Sequence, residues 1–226
     1  MQLSDHDYRL RETEELVLRP GVSPTPAYDD DLDYREYVDR MFVDLRAKRI
    51  PTEPDVLGPY FRKGAPFRAK VTPPNEPGVL MLVSGRVWGI DSRRPLEGTQ
   101  IDIWQANARG HYDDDDPAHP PQPKSFTNRA RLITDEHGHY EYETIHPGPY
   151  RMDADTWRSP HIHYKVRCSG YRTLVTQLFF AGDPYEDSDP FFKSALMIVL
   201  SETQINGVTV QLGIFDIVLA PHHEMV

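Results

Sequence analysis

A chain of 226 residues with 35 acidic and 25 basic side chains carries a formal charge of -10, which offers no basic stripe for nucleic acid or an anionic membrane surface. Its 38% hydrophobic and 11% aromatic content suits one cored domain with a modest appendage. The single cysteine, Cys168, rules out a disulfide framework within the chain and any thiolate-rich zinc or iron–sulfur site.

The opening residues lack the basic and apolar regions of a secretory signal, and no apolar run is long enough to span a bilayer. A soluble, cytoplasmic protein is therefore expected. Residues 1 to about 33 are polar, acidic and broken by Pro20, Pro24 and Pro26, which predicts an arm. Tyr34, Tyr37, Val38, Met41, Phe42 and Leu45 then recur at helical spacing, predicting one amphipathic helix over 34–49. Its apolar stripe would pack on the body or on a second copy, so a homo-oligomer, a dimer first of all, is expected. Residues 1–50 are thus predicted as an arm and helix, and 51–226 as the main domain.

Residues 51–77 are proline-dense and aperiodic, which predicts an ordered loop wrapped over something. Strands are predicted over 79–88, 99–105, 132–134, 140–145, 163–168, 174–180, 196–200 and 209–219, separated by Gly, Pro and Asp turns. The fold class is mainly β: an antiparallel β-sandwich core with a short N-terminal helical segment and long loops. The acidic runs at Asp29 to Asp31 and Asp113 to Asp116 read as solvated loops.

The chemistry concentrates in 150–163, Y-R-M-D-A-D-T-W-R-S-P-H-I-H. Residues two apart on a strand share a face, so His161 and His163 would present two imidazoles side by side. Alone, such a pair is more often two half-buried histidines than a metal site. Arg158, a permanent cation with a planar fork of donors, stands just upstream. Two tyrosines flank the pair: Tyr112 after W-Q-A-N-A-R-G-H, and Tyr150 after P-G-P. A phenol titrates near 10, but a highly charged cation can stabilise its anion. Two hard phenolates with two imidazoles point to Fe(III) rather than to zinc or to a two-histidine, one-carboxylate Fe(II) site. Each tyrosine taken singly reads equally as a core residue. His111, His119, His137, His139, His146, His222 and His223 read as surface or turn residues.

From Thr52 to Leu200 the chain resembles the intradiol ring-cleavage dioxygenases, non-haem ferric enzymes that open catechols between the two hydroxylated carbons. The resemblance lies in T-E-P-D-V-L-G-P-Y (52–60), S-G-R-V-W-G-I-D (84–91), P-L-E-G-T-Q-I-D-I-W-Q-A-N-A-R-G-H-Y (95–112) and T-D-E-H-G-H-Y-E-Y-E-T-I-H-P-G-P-Y (134–150). It continues in W-R-S-P-H-I-H (157–163) and G-Y-R-T-L-V-T-Q-L-F-F-A-G-D (170–183). It implies Fe(III) bound by Tyr112, Tyr150, His161 and His163, with Tyr150 the phenolate released when substrate binds. Arg158 and Gln177 match the family's pair beside the substrate, Val56, Leu57, Pro59 and Tyr60 its aromatic-pocket wall, and Phe191 a further side. A catecholic substrate and O2 would be the reactants and a muconate-type diacid the product, making 51–226 the catalytic domain. Ser159-Pro160 replaces the family's usual Pro-Ala without changing the ligand spacing. Two rivals remain open: a non-catalytic β-sandwich subunit or carrier of the same architecture, and a zinc hydrolase using the H-x-H.

Overall fold

The structure, a computed structural model, describes residues 49–92, 94–115 and 126–222. The N-terminal arm and all but the last residue of the predicted helix lie outside them. Among the described residues, two five-stranded sheets carry the fold. The first is built on β1 (Leu80–Gly89), which pairs antiparallel with β4 (His139–Ile145). Its other edge runs parallel to β11 (Val208–Ile214) and β12 (Ile217–Leu219), and β10 (Ser201–Ile205) extends the sheet beyond β11. The second sheet has the order β3 (Arg129–Ile133), β2 (Gln100–Gln105), β7 (His161–Arg167), β8 (Leu174–Phe180) and β9 (Met197–Ile198). A separate hairpin joins β5 (Tyr150–Arg151) to β6 (Trp157–Arg158).

One hydrophobic core joins the inner faces of both sheets. Met81, Val83 and Val87 of β1 meet Ile101 and Ile103 of β2, Ile162, Tyr164 and Val166 of β7, and Leu174 and Leu178 of β8. The sandwich is as the apolar alternation predicts. Most pairings are antiparallel, but β1 runs parallel to β11 and β12, and β8 to β9.

The strand predicted over 209–219 is two segments in one register, since Ser84 faces Ile214 and Val87 faces Ile217. Between them the Phe215 carbonyl turns inward to accept from the Tyr140 hydroxyl, and the Asp216 carboxylate takes the Arg86 amide at 2.8 Å. A side chain on Gly85 would stand 2.1 Å from that carbonyl oxygen, so only glycine fits opposite the break. The Tyr150 hairpin and β10 were not foreseen: the first is too short to show a period, and the second is mostly exposed polar sequence.

The proline-rich stretch is ordered, as expected, and stitched across both sheets. Thr52 exchanges hydrogen bonds with Val218 (3.0 and 2.9 Å), Asp55 donates its amide to Val175 (2.8 Å) and Thr176 Oγ1 donates to Glu53 (2.8 Å). Among the described residues no helix is long and apolar enough to cross a membrane.

Candidate metal centre

Strand β7 sits between β2 and β8, with His163 opposite Trp104 and Gln177, and His161 opposite Phe179. Because Ile162, Tyr164 and Val166 face the sandwich core, His161 and His163 face away from it. That outer face is nevertheless dry: both histidines are buried, as are Trp104 and Gln177. Loops make the cover. Tyr60 stacks on Tyr112 with ring centroids 4.0 Å apart, and Tyr60, Phe61 and Tyr150 pack on the buried cluster of Trp104, Ala106 and Tyr112.

The two tyrosine-bearing turns are interlocked. The carbonyl of Asn107 accepts from Gly110 (3.0 Å) and from Gly148 (2.9 Å), while its side chain accepts from the amides of Arg109 and His111. A Cβ on Gly110 would lie 2.2 Å from the Pro149 oxygen, and one on Gly148 would lie 2.4 Å from the Ala108 oxygen. Only bare backbones can approach so closely, and that approach sets Tyr112 and Tyr150 side by side, centroids 5.9 Å apart.

Four side chains therefore converge. The Tyr112 hydroxyl lies 3.2 Å from His161 Nε2, and the His161 and His163 rings stand edge to face at 4.8 Å. The Tyr150 ring is 5.7 Å from that of His161. His161 Nδ1 meets the Ser159 carbonyl at 2.6 Å. A carbonyl only accepts, so Nδ1 carries the proton and Nε2 presents its lone pair to the gap. His163 is held differently: the Trp104 indole stacks on it at 4.8 Å, nearly coplanar, and a Cβ on Gly58 would touch its Cε1 at 3.3 Å. Its Nδ1 is buried without a hydrogen-bond partner.

Burial, then the nearby Arg158, pushes the His161 imidazolium down to about 3. Burial and then the neighbouring His161 push His163 well below the ordinary histidine range. Both rings are thus neutral donors at any physiological pH. Burial first, and each other's charge next for Tyr112, hold the phenol well above its usual range; Tyr150 is raised by burial and partly relieved by Arg158. Neither phenol would ionise here unless a strong positive charge sat between them.

Those donors fit a hard, highly charged ion better than a thiophilic one. Among the described residues no three His, Cys, Asp or Glu side chains gather at one point. A cation at this place would have to use phenol oxygens beside the two imidazoles.

Arg158 is buried beside the four. Its Nε donates to both oxygens of Asp189 (3.0 and 3.1 Å), Nη2 donates to Gln177 Oε1 (2.5 Å) and Nη1 lies 3.4 Å from the Tyr150 hydroxyl. Its guanidinium carbon stands 4.8 Å from the Phe191 ring centroid. Phe191 is therefore brought to the site through Arg158. Val56, Leu57 and Pro59 lie on the overlying loop but are exposed; the residue of that loop against His163 is Gly58.

Sequence reasoning gave no role to Asp189, Gly58 or Arg129. It also read the acidic run after Tyr112 as solvated, and that is corrected for Asp113 and Asp114. Asp113 is held by Arg129 (Nε, 2.7 Å) and Arg62 (3.0 Å), and Arg129, itself buried, also donates to the Tyr60 carbonyl and Asp114. Asp115 accepts the Tyr112 amide at 2.8 Å and the Tyr60 hydroxyl at 3.1 Å. The run thus fastens the Tyr60 loop to the Tyr112 turn. His146 is likewise not a surface residue: it is half-buried, packed on Phe180 at 4.5 Å and bonded to Gln211 at 2.9 Å.

The family model described as Dioxygenase matches residues 56–221. The chain belongs to the intradiol ring-cleavage dioxygenase family. It is 35% identical over 189 residues to the chlorocatechol 1,2-dioxygenase of Rhodococcus opacus, covering 74% of this chain and 72% of that protein. It is 33% identical to the 6-chlorohydroxyquinol 1,2-dioxygenase of Cupriavidus pinatubonensis, covering 75% of this chain and 65% of the relative. Among solved structures, the catechol 1,2-dioxygenase of Pseudomonas arvilla C-1 superposes with a TM-score of 0.70 at 27% identity, over 76% of this chain and 63% of that one. Buried polar groups converge on the outer face of the second sheet, which makes it the candidate catalytic centre.

Proposed function

We propose that this intradiol dioxygenase holds a ferric ion on Tyr112, Tyr150, His161 and His163 and cleaves a catechol between its hydroxylated carbons. One observation carries the reading: two phenols and two neutral imidazoles meet on a dry face, with Tyr112 and His161 in contact at 3.2 Å. A ferric ion held there would supply an electron-poor centre able to coordinate a catechol and activate it towards O2.

The chain's own residues do the rest. The Ser159 carbonyl keeps the His161 lone pair aimed at the ion. Tyr150, half-buried and only weakly bonded to Arg158, would be the phenolate able to give way to substrate and to take a proton from the catechol. Tyr112, fully buried under Tyr60, stays. Arg158 cannot deprotonate, so it stabilises negative charge developing on the ring, and the buried, unpartnered Nε2 of Gln177 offers a further donor. The stacked Tyr60, Trp104 and Phe61 exclude water. A degenerate, non-catalytic subunit would have no reason to keep all four donors.

The charge arrangement favours catechols without a ring carboxylate. Arg158 is already matched by Asp189, and Arg62 and Arg129 by Asp113 and Asp114. The iron-loaded protein should consume one O2 per catechol, placing both labelled oxygen atoms in a muconate-type diacid, and should act poorly on 3,4-dihydroxybenzoate. Oxygen uptake without ring opening, or cleavage beside the diol, contradicts the assignment.

A further inference from the structure

We propose that Asp189 is the positioning residue of this site: its carboxylate sets the plane of the Arg158 guanidinium, and thereby how well the site stabilises charge on a bound catechol. The proposal rests on the ring-cleaving reading above. It starts from a carboxylate whose side chain is wholly buried, with every oxygen committed to the neighbourhood of the donors. Oδ1 and Oδ2 both take the Arg158 Nε–H. Oδ2 also accepts the Ser159 amide, and Oδ1 the Phe191 amide, each at 2.9 Å.

Each contact fixes something the chemistry uses. An arginine fork offers five N–H donors in one plane, so pinning Nε on one side fixes where the two Nη groups point. With Nε on Asp189, Nη2 reaches Gln177 and Nη1 turns to the Tyr150 hydroxyl. The amide bond to Phe191 brings that ring onto the guanidinium, closing the other side. The Ser159 amide belongs to the residue whose carbonyl orients His161. One anion thus ties the charge-stabilising cation, the apolar wall and a histidine's orientation together. Its charge also offsets that of Arg158, so the buried guanidinium need not find a counter-ion in the substrate.

The test is a double-mutant cycle on the iron-loaded full chain, with Asp189→Ala, Arg158→Ala and the double variant, plus Asp189→Asn as the shape-conserving control. The expected result is that Asp189→Ala lowers kcat about tenfold or more while KM changes less, as befits a loss felt after substrate is bound. In the Arg158→Ala background the same change should cost less than about twofold, because a positioning residue has nothing left to position. Asp189→Asn, which still accepts from backbone amides but carries no charge, should fall between. A second readout needs no turnover: in metal-free protein the double variant should melt above the sum of the two single losses, since each single leaves a lone buried charge.

Equal fold-losses in both backgrounds, or an Asp189→Ala enzyme within about twofold of the parent, would overturn the proposal. If Asp189→Ala does not fold, the same cycle run with Asp189→Asn decides by the same criteria. Failure of the unaltered protein to open catechol strikes the ring-cleaving reading instead, and the metal-free melting cycle still judges the Asp189–Arg158 coupling.

Discussion

Two groups of three tyrosines differ instructively, one inside the sandwich and one over the outer face of the second sheet. On the inner side Tyr140, Tyr142 and Tyr164 are fully buried in the sandwich. Tyr142 and Tyr164 share a hydrogen bond, and Tyr140 donates to the Phe215 carbonyl. On the outer side Tyr60, Tyr112 and Tyr150 surround the histidine pair. Burial raises the phenols on both sides. What separates them is the partner: the inner hydroxyls satisfy one another or a carbonyl, whereas Tyr112 faces an imidazole lone pair, with Tyr150 and a guanidinium close by. Burial alone makes a tyrosine structural; burial beside unspent lone pairs makes it a candidate ligand.

The largest expected effect comes from deleting such a lone pair. His161→Ala should reduce iron retention by roughly 100-fold or more, while the fold persists by circular dichroism. Metal analysis of the purified variant checks this, and an iron-replete His161→Ala protein would erase the distinction between the two groups. Next comes the support of the outer group, which hangs on loops. Arg129→Ala leaves Asp113 with Arg62 as its one remaining cation and frees the Tyr60 carbonyl. Breaking such a buried pair costs about 3–5 kcal/mol, read by denaturant melts. The inner group should respond more mildly: Tyr142→Phe removes one hydrogen bond but leaves the Tyr164 hydroxyl its bond to Tyr140, costing about 0.5–1.5 kcal/mol, with iron content and turnover unchanged.

A further effect is a pH dependence of the metal-free protein. A histidine held down to about 3 in the fold stays neutral there, while the unfolded chain takes up a proton below its ordinary value of 6.5. Its contribution is complete above 6.5 and lost as pH falls. By pH 5 that amounts to roughly 2 kcal/mol for His161. His161→Gln should flatten the slope between pH 6.5 and 5. The inner tyrosines, raised above 10, act only in alkali, where stability falls as the unfolded phenols ionise.

The inner group, the sandwich and the histidine pair were legible because they follow a period of two: Ile162, Tyr164 and Val166 alternate with His161 and His163 along one strand. The tyrosine ligand candidates were suggested by their place beside the histidine pair and made specific by resemblance, since Tyr112 and Tyr150 sit after turns with no period of their own. Asp189 and Arg129 were illegible for a simpler reason. Their partners lie 31 and 16 residues away, at Arg158 and Asp113, and nothing local in the sequence links an ion pair across a turn. Asn107 to Gly110 reads as a turn from the sequence, and the Asn107 side chain bonds its own backbone there.

The visible spectrum of the purified, iron-loaded protein tests the central claim most directly. A tyrosinate-to-iron charge-transfer band is expected, altered by Tyr112→Phe and by Tyr150→Phe, untouched by Tyr142→Phe, and shifted by anaerobic catechol. A colourless protein filled with zinc, or a band that ignores both outer tyrosines, would contradict it.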